Sequence, residues 1–245
     1  MSDESILLSS LETFYNEGLI TDVLDIVKRG KEATVYCCQA HPSTGTKFLA
    51  AKIYRPRQFR SFKNDAVYQE GRVILDKRLR RAVKKKTRKG RAVQFTSWVE
   101  HEFQTLNLLH AAGADVPRPI AQSGSAILME YVGDYQLPAP MLKNVSLEPD
   151  EAHPLFDLLM GNVELWLACN IVHADLSAFN ILYWKGDLKI IDFPQAVDPR
   201  LNPSAFPLLS RDIDNLCRYF ARYGVHANPS GLAGELWTQF LRAEL

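Results

Sequence analysis

Between Ile20 and Tyr54 the chain runs through short β-branched and aromatic stretches separated by polar positions. VLDIV, ATVYCC and KFLAAKIY read as three strands, and HPSTG at 41–45 supplies turn chemistry between the last two. The pattern predicts a three-stranded meander. A further buried strand is expected in SAILMEYVG at 125–133. Ahead of the meander, Ser9-x-x-Glu12 has the form of a capping box opening a short helix through Phe14 and Tyr15. Residues 55–96 are polar, basic and poorly periodic and read as a long flexible loop. Ser97-x-x-Glu100 then offers a cap for a helix to His110, with Gly113 as its stop. Trp98, Glu102, Thr105, Leu106 and Leu109 share one side of that helix.

Beyond LPAP at 137–140, which reads as a linker, the pattern becomes helical. FDLLMGNVELWLACN (156–170) has apolar residues at helical spacing. NILYW, KGD and LKIID form a hairpin, and RDIDNLCRYFARY (211–223) and GELWTQFLRAEL (234–245) are amphipathic. The expected organisation is an N-terminal helical extension at 1–19, a β-rich N-lobe at 20–133 and a helical C-lobe at 134–245. The fold class is therefore α+β.

Composition narrows the setting. With 245 residues, 47% of them hydrophobic, the chain suits one large domain or two lobes. No apolar run approaches the roughly 18 residues of a membrane span, and MSDESILLSS lacks the basic start of a secretory leader. Cys37, Cys38, Cys169 and Cys217 show no CxxC pairing, so reduced thiols and a cytoplasmic setting are expected. Net charge is +1, yet Lys77–Arg91 (KRLRRAVKKKTRKGR) holds ten basic residues in fifteen and no acid. Such a segment is either a contact for an anionic partner such as RNA or a solvated loop.

The chemistry concentrates in HADLSAFN at 173–180 and IIDFPQ at 190–195. Phosphoryl transfer needs a carboxylate to orient the attacking oxygen and oxygen ligands to hold magnesium on the nucleotide phosphates. Asp175 fits the first task, Asn180 and Asp192 the second. Asp192 follows the apolar run LKII, where a carboxylate is costly unless it meets a cation. Lys52 lies in the apolar run AAKIY, where an ammonium needs a carboxylate partner. Glu102 is the candidate, because Glu100 is assigned to the cap. Gly30 and Lys31, in RGKEATVY, sit where backbone N–H groups can approach phosphates. Met129-Glu130-Tyr131-Val132 should form a hinge whose backbone reads adenine, with Met129 alternatively a core residue. Ser177 either contacts phosphate or metal or caps the loop. His173 is read as bracing the loop, and Asp212 as a helix N-terminal carboxylate.

At these residues the chain resembles the RIO family of atypical protein kinases and ATPases. GKEATVY is similar to its phosphate loop, AAKIY to its lysine strand, WVEHE to its glutamate helix, and HADLSAFNIL with IIDFPQAV to its catalytic and metal loops. Ser177 and the Pro-Gln after Asp192-Phe193 are RIO-like rather than general kinase features. The resemblance implies a two-lobed kinase-like fold and ATP with Mg²⁺, Mn²⁺ being a substitute. It puts Lys52 on the phosphates with Glu102 bracing it, Asp175 as catalytic residue, and Asn180 and Asp192 on the metal. Family members can also form an acyl-phosphate on the metal-binding aspartate, here Asp192, and some act in small ribosomal subunit maturation. The stretch before Ile20 is too short for the winged helix of one branch, so the winged-helix-free subfamily is the closer likeness. Only 53 residues follow Asp192, with no A-P-E, so no peptide-docking helical subdomain is expected.

The leading expectation is thus a Ser/Thr kinase that also autophosphorylates and modifies an unknown protein. The alternative is an ATPase switch with a transient aspartyl-phosphate, acting on RNA or a ribosomal particle through Lys77–Arg91. A third class, a non-catalytic RNA-binding module, leaves the phosphotransfer set without a role.

Overall fold

Alternation along one strand decides what lies on either side of the first sheet. In β3 (Phe48–Tyr54), Leu49, Ala51 and Ile53 project to one face and Ala50, Lys52 and Tyr54 to the other. The computed structural model describes residues 3–55 and 88–245, which fall into two compact units. In the first unit β1 (Ile20–Arg29), β2 (Ala33–Ala40) and β3 form the expected meander, and β4 (Pro119–Ser123) and β5 (Ala126–Glu130) complete an antiparallel sheet ordered β1-β2-β3-β5-β4. Lys52 is flanked by Val35 on β2 and Ile127 on β5.

Helix α1 (Asp3–Asn16) covers the face bearing Leu49, Ala51 and Ile53, burying Leu11 and Phe14 in the same core. A buried Ser10–Ser125 hydroxyl pair at 3.2 Å fixes it there. Helix α2 (Arg88–Ala111) serves the opposite face, where Glu102 meets Lys52 and Tyr54.

Several boundaries differ from expectation. α1 starts at Asp3, which makes Ser9 an interior residue rather than a cap. α2 starts at Arg88, so Ser97 is likewise interior and the stretch 88–96 is helix, not loop. Its RKGRAVQF start is polar but rich in Arg, Lys, Ala and Gln, all good helix formers. β4 went unseen because PIAQS has no alternation, and every residue in it is half-buried. Leu137 and Pro138, read as linker, form β7, paired with β6 (Gly133–Asp134). Apart from the backbone of its last four residues, the basic run Lys77–Arg91 lies outside the described residues.

The second unit takes in Leu108–Val116 and Ala139–Leu245. It contains α3 (Pro149–Ala168), the hairpin β8 (Ile181–Trp184) and β9 (Asp187–Ile190), α4 (Ala205–Ala221) and α5 (Pro229–Arg242). The hairpin turns through Lys185 and Gly186, both at positive φ (52° and 94°), as a two-residue turn matched to strand twist requires. The Ile190 N–H donates to the Asp115 carbonyl at 2.7 Å, and the Asn162 side chain bonds Asp115 through both its oxygen and its nitrogen. These bonds tie the 108–116 segment to α3 and to the end of β9, two residues before Asp192. Trp166, Phe193 and Phe220 anchor the core beneath.

Candidate active site

The first unit contributes a buried ion pair with a third member. Lys52 Nζ donates to Glu102 Oε1 at 2.6 Å, and the Tyr54 hydroxyl donates to Glu102 Oε2. Glu102 is 1% exposed, and both of its oxygens are engaged, as a carboxyl group buried so deeply requires. The ammonium also lies 4.9 Å from the Tyr54 ring centroid. Glu100 faces solvent and accepts from Gln104 one turn on, at 3.3 Å. Glu102 therefore points inward because of helix phase, not because Glu100 is occupied as a cap.

The β1–β2 connection is a tight turn. Gly30 N–H donates to the Ala33 carbonyl at 2.9 Å, and a Cβ at Gly30 would meet that oxygen at 3.0 Å. Arg55 closes the turn from β3, its backbone N–H donating to the Glu32 carbonyl and its guanidinium to the Thr34 hydroxyl. Lys31 is exposed on the turn. Met129 is buried opposite Ala50, and Glu130 holds Arg118 through its backbone N–H and its carboxylate. Val132, just past β5, is half-buried.

The second unit contributes the loops that bear Asp175, Asn180 and Asp192. The Asp175 N–H donates to His173 Nδ1, and His173 Nε2 bonds the Ile191 carbonyl, both at 3.2 Å. A backbone N–H can only donate and a carbonyl can only accept. His173 is thus neutral with its proton on Nε2, and it clamps the two loops together. Its ring packs 4.5 Å from Phe193, with Trp166 closing the aromatic group. The Ile191 N–H donates to the Asn180 carbonyl at 2.9 Å, which puts Asp192 one residue from Asn180's hydrogen-bond partner. Asn180 Nδ2 donates to the Asp175 carbonyl at 2.9 Å and approaches its carboxylate at 3.4 Å. The amide nitrogen is spent within the loop, so Oδ1 is the atom left to face a cation.

Two residues here hold left-handed backbone: Ala174 at φ 66° and Asp192 at φ 77°. Each costs of order 1 kcal/mol or more and persists only where its surroundings enforce it. At Ala174 the enforcement comes from α4. Asp212 accepts from the Ala174 N–H at 2.7 Å and the Leu176 N–H at 3.0 Å, Arg211 donates to the Ala174 carbonyl, and Asn215 donates to the Leu176 carbonyl at 2.9 Å. The reading of Asp212 as a helix N-terminal carboxylate is thereby corrected. It lies mid-helix, 2% exposed, and exists to hold the loop. Burial pushes its carboxyl up to about 8, against the pull of the two N–H bonds and Arg211. Asp175 is exposed at the loop surface, yet partial desolvation of its carboxyl, with the neighbouring Asp192 charge, raises it above the usual carboxylate range, opposed by Arg211 and the Asn180 bond. A raised carboxyl beside a second carboxylate suits a group that receives a proton. Ser177 Oγ accepts from the Phe179 N–H at 3.4 Å, which is the loop-capping contact.

Asn180 and Asp192 together offer only hard oxygen donors, and no cluster of three or more His, Cys, Asp or Glu occurs among the described residues. A sparse oxygen set fits Mg²⁺, which keeps several waters and binds through one or two protein oxygens plus phosphate. All four cysteines are free thiols.

Thus Lys52 and Glu102 come together in one unit, and Asp175, Asn180 and Asp192 in the other. Sequence reasoning missed Tyr54, Arg211 and Asn215, and it misassigned Asp212. Tyr54 was signalled by its place two residues after Lys52, on the same strand face. Asp212 was signalled as a carboxylate on the stripe formed by Leu208, Leu209, Ile213 and Leu216.

A family model described as "RIO domain" matches residues 34–230. The serine/threonine-protein kinase RIO1 of Caenorhabditis elegans is 34% identical over 210 residues, covering 85% of this chain and 39% of that protein. Its namesake from Homo sapiens is 33% identical over 211 residues, covering 85% and 35%. The RIO-type serine/threonine-protein kinase Rio1 of Thermoplasma acidophilum is 33% identical over 186 residues, covering 76% of this chain and 91% of that one. The chain therefore spans about two fifths of the length of the eukaryotic relatives but most of the archaeal one. Among solved structures, the Rio2 kinase–ADP/Mg²⁺–phosphoaspartate complex from Chaetomium thermophilum aligns with a TM-score of 0.69 at 22% identity, covering 96% of this chain and 67% of that one. That likeness establishes the two-lobed kinase-like α+β fold.

Proposed function

Since this chain belongs to the RIO family, we propose that it is an ATP- and Mg²⁺-dependent phosphotransferase that moves the γ-phosphate to serine or threonine, its own included. The observation that carries the reading is the Asp175–Asn180–Asp192 constellation, clamped by His173 and held by α4. Asp175 orients the acceptor hydroxyl and takes its proton as the oxygen–phosphorus bond forms; the bond to the β,γ-bridging oxygen breaks and ADP leaves. Asn180 Oδ1 and the Asp192 carboxylate hold the metal, which, when bound, neutralises charge on the phosphate oxygens; Mn²⁺ would serve in its place. Lys52, braced by Glu102 and Tyr54, engages the phosphates. Gly30 and Lys31 supply the turn beside them, and Ser177 a further polar contact. The backbone of Met129, Glu130 and Val132, at the end of the N-lobe read over 20–133, reads the adenine; the C-lobe is read over 134–245.

The relatives' printed names, serine/threonine-protein kinases, support this activity, and the Rio2 complex supports ADP and Mg²⁺ as its ligands. A protein substrate, an RNA or ribosomal partner for Lys77–Arg91, and a cytoplasmic setting in keeping with free thiols belong to the same reading. No described helix is long and apolar enough to cross a membrane. The phosphoaspartate named in the Rio2 complex supports an alternative in which Asp192 carries the phosphoryl group and the protein works as an ATPase switch. Incubation with γ-labelled ATP and Mg²⁺, followed by acid and hydroxylamine treatment, separates the two. Acid-stable, hydroxylamine-resistant label is expected. Label released by hydroxylamine and lost in Asp192→Asn would replace the kinase reading with the switch.

A further inference from the structure

Every residue of the catalytic loop but one is turned inward or engaged in chemistry. Phe179, next to Asn180 and four residues after Asp175, leaves 56% of its surface exposed. Its position is nonetheless fixed. The Phe179 N–H donates to Ser177 Oγ, and Lys143 Nζ lies 4.1 Å from the ring centroid. The Lys143 N–H donates to the Ala178 carbonyl at 3.0 Å, so the two residues are also joined through the backbone. Lys143 sits on the 3₁₀ turn Leu142–Asn144, which is held by the hydroxyl of Tyr219 on α4, donating to the Leu142 carbonyl at 2.7 Å, and by that of Tyr223 just past the helix, donating to the Val145 carbonyl at 3.2 Å. One helix thus positions the catalytic loop, the ring and the ammonium. A rigid aromatic left in water at the edge of a reacting centre is a recognition element more than a packing one.

We propose that Phe179 and Lys143 form the acceptor-recognition surface of this protein. It would select a protein segment in which the phosphorylated Ser or Thr is flanked by an apolar side chain, seated on the ring, and an acidic group, paired with the ammonium. The proposal rests on the Ser/Thr transfer reading above. A peptide is favoured over nucleic acid because a single ring, already covered by one ammonium, is not the run of stacked aromatics that single strands use. The hydroxyl to be activated must also lie at Asp175.

The test is a positional Ser/Thr peptide library with γ-labelled ATP, read for wild type, Phe179→Ala and Lys143→Glu, with ATP hydrolysis measured without peptide. Wild type should prefer an apolar and an acidic neighbour. Phe179→Ala should lose the apolar preference and about tenfold in kcat/KM for the best peptide. Lys143→Glu should exchange the acidic preference for a basic one, and peptide-free hydrolysis should stay within about twofold in both. Unchanged selectivity in both variants overturns the proposal and leaves the kinase reading intact. A parallel fall in peptide-free hydrolysis overturns it in favour of a purely structural pair. Displacement of peptide by poly(U) from wild type but not from Phe179→Ala would assign the ring to base stacking instead. Failure of wild type to label any peptide or itself would remove the Ser/Thr reading, and this proposal with it.

Discussion

Lys52 and Tyr54 leave the same face of β3, and both end on Glu102. An ammonium on one oxygen and a phenol on the other hold a carboxylate in one orientation, as a lysine that must meet phosphates requires. Tyr54→Phe keeps the ring and removes the donor, leaving Glu102 Oε2 without it. We expect a loss of about 1–3 kcal/mol in stability and a severalfold rise in the KM for ATP. Glu102→Gln, which removes the charge facing Lys52, should raise KM further. Urea unfolding and ATP titration read both, and a Tyr54→Phe protein matching wild type in each would make the hydroxyl a spectator. The placing of Lys52 against Glu102, and of Asp175 beside Asn180, follows the sequence pattern, because polar groups at phosphotransfer spacing next to apolar runs have few other uses. Tyr54 was not legible in it, since an aromatic residue in a strand looks like core. Glu102 was chosen correctly, but from a mistaken cap at Ser97.

At the scale of elements, α4 is the organiser of the second unit. Arg211, Asp212 and Asn215 occupy one helix face and bond four backbone groups, the N–H and C=O of Ala174 and of Leu176 on either side of Asp175. Asp212 also sets a pH dependence. Its carboxyl titrates near 3.8 unfolded and about 8 folded, so the folded protein binds the extra proton between those values. Its contribution to stability is therefore full at low pH and lost as pH rises toward 8. Asp212→Asn offers one acceptor oxygen for two N–H groups and should be less stable than wild type at pH 5. The gap should narrow as pH rises from 5 to 8, as measured by urea unfolding at each pH. A constant gap would show that the carboxyl does not titrate in that window. The helix was visible from its apolar spacing, but its start at Ala205 and the role of Asp212 were not. A carboxylate that caps its own helix and one that holds a distant loop have the same local sequence. The same holds for α2, whose polar first turns carry no apolar period.

At the scale of the molecule, two units divide the chemistry: the Lys52–Glu102–Tyr54 group in one, and the Asp175, Asn180 and Asp192 loops in the other. The RIO-domain match across 34–230 spans both. The meander, the β8–β9 hairpin and the closeness of Asp175 to Asn180 were legible because strand alternation, a Lys-Gly turn and spaced polar groups are local signals. β4, the helix starts and the α4 contacts depend on partners far away in sequence, which no local pattern records. The central claim, that this chain transfers phosphate through Asp175, is tested most directly by single-turnover transfer from γ-labelled ATP with Mg²⁺, comparing wild type with Asp175→Ala. The exposed Asp175 side chain can be truncated without opening the core, so folding should be kept. The account predicts rapid labelling by wild type and a rate lower by roughly two to four decades in the variant, as for loss of a positioned base. An Asp175→Ala protein that labels as fast as wild type would contradict it.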